Sequence, residues 1–220
     1  MIAAIIKGLA LGLMLSISVG PVIFSIIKQS INNGHKAGYT FVAGVSASDI
    51  TLVLVCNFFT SLFDTALNHK VTIAVTGSLF LIGLGIYNIF FKKVSIDEEG
   101  NAAEKTFRKR DFIGIFISGY FMNILNPGVF LFWFACSASI LADSQNVEYL
   151  SPFEYRLIVF GICLLFVLTA DISKVLLAGK LRPKLTPRNM HHINQLSGLI
   201  LVGFGVALIW GILKYGNLIH

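Results

Sequence analysis

The chain alternates long apolar stretches with short polar connections that are mostly basic. Six stretches are long enough to cross a bilayer, since one transmembrane helix needs about 20 predominantly apolar residues. They lie near residues 2–27, 37–63, 71–91, 111–142, 157–179 and 193–214. None shows the two-residue alternation of a membrane β-strand. The pattern therefore predicts an all-α integral membrane protein with six transmembrane helices.

Composition supports a protein whose main surroundings are the lipid bilayer. The 220 residues are 55% hydrophobic and 13% charged, with a mean hydropathy of +0.80, which is unlike an ordinary soluble domain. The net charge of +6 would suggest nucleic acid as the partner of a soluble chain. Here we expect no nucleic-acid partner, because basic residues in loops set the orientation of a membrane protein.

Loop charges predict that orientation. Twelve Lys and Arg residues fall in the loops of one side and four in those of the other. The basic side includes Lys28 and Lys36 in the first loop and the cluster within 92–110. Because cytoplasmic loops carry the excess of Lys and Arg, we predict a multi-pass protein of the cytoplasmic membrane with both termini outside.

The charged segment 93–110 divides the chain into two units of three helices each, 1–92 and 111–220. A unit with an odd number of crossings places the next copy upside down in the membrane. The sequence therefore predicts two inverted three-helix repeats, an arrangement found in many secondary transporters.

Each unit begins with a helix interrupted at a proline, at Gly20-Pro21 in the first and at Asn126-Pro127 in the second. Proline leaves carbonyl groups without a helical partner, and the ends of broken helices can hold the charged groups of a substrate. Asn123 adds a second amide beside the later break. A plain structural kink remains the alternative for the first break, and interhelical packing remains the alternative for the two amides.

An aspartate follows each break in the next apolar stretch, Asp49 in the first unit and Asp171 in the second. A carboxylate at bilayer depth costs about 2.5–3.5 kcal/mol or more, so such residues are retained mainly for function. Each can bind a proton or a cationic group, or serve as a structural partner for a nearby donor. Lys174 lies one helical turn after Asp171, which predicts an intrahelical ion pair and leaves Asp49 as the freer carboxylate.

These residues favour a secondary transporter that works by alternating access, with a small-molecule substrate and protons as its partners. We predict no cofactor, and no enzyme, because the sequence contains no nucleophile–base constellation. A divalent metal cation exporter is an alternative, since hard cations prefer oxygen ligands. A non-transporting membrane scaffold is another, and a homo-oligomer remains open.

Most aromatic side chains are expected to face lipid or its interface, with Phe132 and Trp133 as candidates for lining a solute path.

The arrangement of motifs resembles the LysE/RhtB family of bacterial amino-acid exporters along the whole chain. Gly20-Pro21 followed by Gly34, Gly38, Gly44 and Asp49 is similar to the most specific motif of that family, and Asn123-x-x-Asn126-Pro127 is similar to a second. The resemblance implies export of amino acids or similar small solutes across the bacterial cytoplasmic membrane, driven by the proton motive force or by exchange.

Overall fold

The computed structural model describes residues 1–17, 20–58, 70–91, 108–145, 147, 150–181 and 187–215. All regular structure within these ranges is helical. In chain order the helices are α1 (Ile2–Ile17), α2 (Pro21–Phe58), α3 (Lys70–Ile86, continued by a π-helical turn, Tyr87–Phe91), α4 (Lys109–Ile124), α5 (Pro127–Ser144), α6 (Pro152–Leu181) and α7 (Pro187–Tyr215). The predicted linker 93–110 lies outside the described residues except for its last three, and so does the end of the predicted second span, 59–63.

Within the described ranges, three helices are long and apolar enough to cross a membrane by themselves. They are Pro21–Asn57, Pro152–Lys180 and His191–Gly211. A fourth candidate is formed by α4 and α5 together, which are bent by 62° at their break. The segments Ile2–Ile17 and Val75–Phe90 are shorter apolar helices. The predicted all-α membrane class is confirmed, while length and composition alone give three or four spans rather than six.

The direction of α2 reverses at Gly34, whose backbone has φ 82° and ψ 172°. A Cβ atom on Gly38 would collide with the hydroxyl of Ser30, whereas residues eight apart in one continuous helix are separated by about 12 Å. The two halves of α2, residues 21–33 and 35–58, therefore fold back on each other. Glycine suits this position because a Cβ atom would make the positive φ costly.

Because α2 reverses, α1 and the first half of α2 run in one direction along α6. Gly8 of α1 lies against the carbonyl of Val159, and Ile31 of α2 packs with Ala178 further along the same helix. The predicted span 2–27 is thus interrupted between α1 and α2, as expected from Gly20-Pro21, and its helical part extends to residue 33.

The helices α4 and α5 run in one direction along the second half of α2 and form the second interrupted segment. Gly119 of α4 lies so close to Phe41 that a Cβ atom would collide with the Phe41 carbonyl. Beyond the break, the Asn57 amide donates to the Ser137 hydroxyl at 3.3 Å. The break predicted at Asn126-Pro127 in the fourth span is confirmed.

Close glycine contacts also join α3 to α7. A Cβ atom on Gly85 would stand 2.6 Å from the carbonyl oxygen of Gly198, and one on Gly205 would stand 2.8 Å from that of Ser78. Small residues allow this approach between backbones, and helix association in lipid depends on such packing. In the described part of the bundle, close contacts of the same kind join α1 to α6 and α2 to α4.

The prediction that Lys28 lies in a loop is wrong. Lys28 is part of the first half of α2, is only 5% exposed, and donates to the side-chain oxygen of Asn88 in the π-helical turn. The reversal at Gly34 takes a single residue, so the polar residues before it stay helical. Lys36, which follows the reversal, is exposed as expected.

Candidate functional site

A cavity of about 60 Å³ lies where the two interrupted segments meet. That volume is enough for a few water molecules. Six of the eight predicted site residues line it: Gly20, Asp49, Asn123, Asn126, Asp171 and Lys174. The other two, Pro21 and Pro127, are the first residues of the helices that follow the breaks. The other described residues that line it are all Val, Ile or Leu.

Local sequence explains the break between α4 and α5. Asn126 is the N-cap of α5, and its side-chain oxygen accepts from the backbone N–H of Gly128 at 3.0 Å. Proline at the next position suits the first turn of a helix, where a backbone N–H would have no helical partner. The amide nitrogen of Asn126 points toward the other break, 3.9 Å from where a Cβ atom of Gly20 would stand.

The carboxylate of Asp49 is buried at 3% exposure and accepts two hydrogen bonds at one oxygen. Asn123 of α4 donates its amide at 2.8 Å, and Trp133 of α5 donates its indole N–H at 2.9 Å. Both donors are neutral, so an ionised Asp49 keeps its negative charge within the bundle. The Asn123 amide thus contacts another helix, as the alternative of interhelical packing requires, and its partner there is the candidate site residue Asp49.

The site also contains Trp133, which the sequence analysis placed among lipid-facing or path-lining aromatics. Trp133 is completely buried and its ring packs against Phe160 with centroids 6.2 Å apart. A buried indole needs an acceptor for its N–H. The sequence did show that Trp133 lies about two turns into the helix that starts at the break, and this could have marked it as a site residue. It did not show the acceptor of the indole N–H, which is 84 residues away in the chain.

Asp171 and Lys174 form the predicted ion pair, with the ammonium nitrogen 2.7 Å from a carboxylate oxygen. The same ammonium donates to the carbonyl oxygen of Ser16 at 3.0 Å. Ser16 is in the last turn of α1, where helical carbonyls lack partners and carry partial negative charge. Lys174 therefore links α6 to the end of α1 at the first break and neutralises Asp171.

The cavity combines groups of both signs. The first turns of α2 and α5 border it, and helix N-termini attract anions. Lys174 adds a cation, while Asp49 and Asp171 supply carboxylates. Among the residues that the structure describes, no group of three or more His, Cys, Asp or Glu side chains could hold a metal ion. That part of the chain therefore contains no ligand cluster that would support the alternative function, export of a metal cation.

Comparison with known proteins identifies the family to which the chain belongs. The family described as LysE type translocator matches residues 13–211. A protein of Bacillus subtilis (strain 168) with the name "Putative amino acid efflux protein YcgF" is 27% identical over 198 residues, which cover 90% of each chain. No solved structure matches the chain significantly. Because the family match includes both breaks and all the cavity residues, the chain belongs to the LysE type translocator family and is a multi-pass membrane transporter, not an enzyme.

Proposed function

We propose that this translocator exports amino acids or similar small solutes from the cytoplasm by alternating access around the central cavity. The observation that carries the proposal is the meeting of two interrupted helical segments at a cavity with buried acidic and basic groups. Secondary transporters bind their substrates at such interruptions, near the middle of the membrane. The name of the Bacillus subtilis relative, which refers to amino acid efflux, supports the same class of substrate.

The charges around the cavity fit the zwitterionic part of an α-amino acid. A substrate ammonium group would be attracted to Asp49, whose two donors are neutral and leave its charge uncompensated. A substrate carboxylate would be attracted to the first turns of α2 and α5 and to Lys174. The small volume favours a compact solute or requires the cavity to widen for a larger one.

Asp49 is our candidate for proton coupling. Its hydrogen bonds come from uncharged groups, so uptake of a proton would remove a full charge from the membrane interior. Asp171 already has Lys174 as a counter-ion, so the ionised form of Asp171 is less costly within the membrane than that of Asp49. Alternate binding of a proton and a substrate ammonium at Asp49 would couple export to the proton gradient.

Helix packing supports two inverted repeats with six crossings as the basis of alternating access. One interrupted segment, α1 with the first half of α2, packs on α6, which carries Asp171. The other, α4 with α5, packs on the second half of α2, which carries Asp49. Each interrupted segment thus meets the aspartate helix of the other unit, as a twofold relation between 1–92 and 111–220 would require. The excess of basic residues in loops supports both termini outside the cytoplasmic membrane.

The test is efflux of preloaded amino acids from cells that express the wild type or Asp49→Asn. Cells are fed with dipeptides, and the medium is analysed for all amino acids. We expect at least one amino acid to leave wild-type cells much faster than cells with Asp49→Asn. Asp143→Asn is the matched control, because Asp143 is exposed, lies outside the cavity and pairs with Lys7.

Membrane content of each variant is measured by immunoblot so that export is compared per molecule. Equal export by wild type and Asp49→Asn would refute the role of the central carboxylate. Absence of any amino acid difference between wild-type cells and cells without the protein would refute the proposed substrate class.

A further inference from the structure

A second, apolar groove lies on the periphery of the bundle between α2 and α6. Its volume is about 190 Å³. Ile50 and Leu54 of α2 border it and are 48% and 44% exposed. Phe153 and Leu157 of α6 border it on the other side and are 51% and 62% exposed. In a multi-pass membrane protein, such an exposed apolar surface faces lipid chains.

Of the described residues that line this apolar groove, one is a cation, Arg156. Arg156 lies in the first turns of α6, near the end of the helix, where basic side chains reach the headgroup region. Its Nε–H donates to the carbonyl oxygen of Pro152 at 3.3 Å. No described carboxylate forms an ion pair with it. A guanidinium group at the end of an apolar groove complements a phosphate group at the end of an acyl chain.

We propose that this groove is a binding site for an anionic phospholipid, with an acyl chain between α2 and α6 and the phosphate on Arg156. Among the described residues, the groove and the central cavity have no lining residue in common. The two sites are nevertheless adjacent, because Phe160 lines the groove and packs against Trp133, the donor to Asp49. The lipid is thus positioned beside the site without being part of it.

The chain offers a matched pair of glycines for testing the groove. A Cβ atom on Gly161, which lines the groove, meets nothing within 4 Å. A larger side chain at this position would start in the open space of the groove. Gly203 of α7 has the same open surroundings on another helix, so Gly203→Leu controls for the added apolar side chain.

The experiment is native mass spectrometry of the purified full chain titrated with phosphatidylglycerol or with phosphatidylcholine of the same acyl chains. We expect the wild type and Gly203→Leu to retain phosphatidylglycerol preferentially. Gly161→Leu should weaken its binding about tenfold, which corresponds to about 1.4 kcal/mol. Arg156→Gln should keep the acyl chain and lose most of the preference for phosphatidylglycerol.

Retention of phosphatidylglycerol by Gly161→Leu at the wild-type level would overturn the proposal. An unchanged headgroup preference in Arg156→Gln would overturn the assignment of the phosphate to Arg156. If Gly161→Leu instead converts a dimer to a monomer without affecting lipid retention, the groove is an interface between two copies of the chain. Size-exclusion chromatography verifies that each variant is folded, and Arg156→Gln tests the proposal even if Gly161→Leu does not fold.

Discussion

The hydrogen bond from Trp133 to Asp49 gives the most direct test of the charge at the centre of the bundle. Replacing Trp133 with Phe removes the indole N–H while an aromatic ring remains beside Phe160. A hydrogen bond to a charged group contributes about 1.5–3 kcal/mol to stability, against about 0.5–1.5 kcal/mol for a neutral one. The stability that Trp133→Phe loses therefore depends on whether Asp49 is ionised.

A double-mutant cycle with Asp49→Asn separates this bond from the loss of packing. Asn at position 49 still offers a neutral acceptor, so Trp133→Phe costs packing and a neutral bond in that background. In the wild-type background it costs packing and a charged bond. The difference between the two backgrounds should be about 1 kcal/mol or more, the excess of a charged over a neutral hydrogen bond.

The measurement is reversible unfolding of the four purified proteins in mixed micelles, followed by far-ultraviolet circular dichroism. Asn123→Leu in place of Trp133→Phe provides a second cycle through the other donor, which should give a coupling of the same sign. If Asp49 is ionised in the resting protein, both cycles should show this coupling; a coupling energy below about 0.3 kcal/mol in both, within the usual error of additivity, would show that Asp49 is not a charged acceptor there.

Two further predictions concern the backbone and the ion pair. Gly34→Ala should lower the free energy of unfolding by about 1–3 kcal/mol, because a φ of 82° with a ψ of 172° is a conformation essentially restricted to glycine. Gly83→Ala, whose Cβ atom meets nothing within 4 Å, should not lower it. Equal effects of the two substitutions in the same unfolding assay would contradict the reversal at Gly34. Lys174→Met should lower the free energy of unfolding by about 3–5 kcal/mol, because it leaves Asp171 as an unpaired buried charge. Adding Asp171→Asn to the same chain should recover most of that stability, measured as folded yield and by unfolding. An absence of recovery would contradict the pairing.

Much of the fold was predictable because its determinants are local. The lengths of the apolar stretches indicated the all-α membrane class, and proline after Gly20 and after Asn126 marked the two breaks. The pairing of Lys174 with Asp171 also followed from the sequence, since residues one turn apart on a helix are neighbours whatever surrounds them. Six of the eight site residues chosen in this way line one cavity.

Other features arise only when distant parts of the chain pack together. The burial of Lys28 depends on its contact with Asn88, 60 residues away, and Trp133 finds its acceptor 84 residues away. Hydropathy reports how apolar a segment is, but not which face of a helix meets another helix. The sequence by itself determined most of the helical segments, the two breaks at proline and the positions of the charges within apolar stretches. Only tertiary structure decided that the breaks face each other around Asp49, because that depends on the backbone reversal at Gly34 and on close packing between α2 and α4.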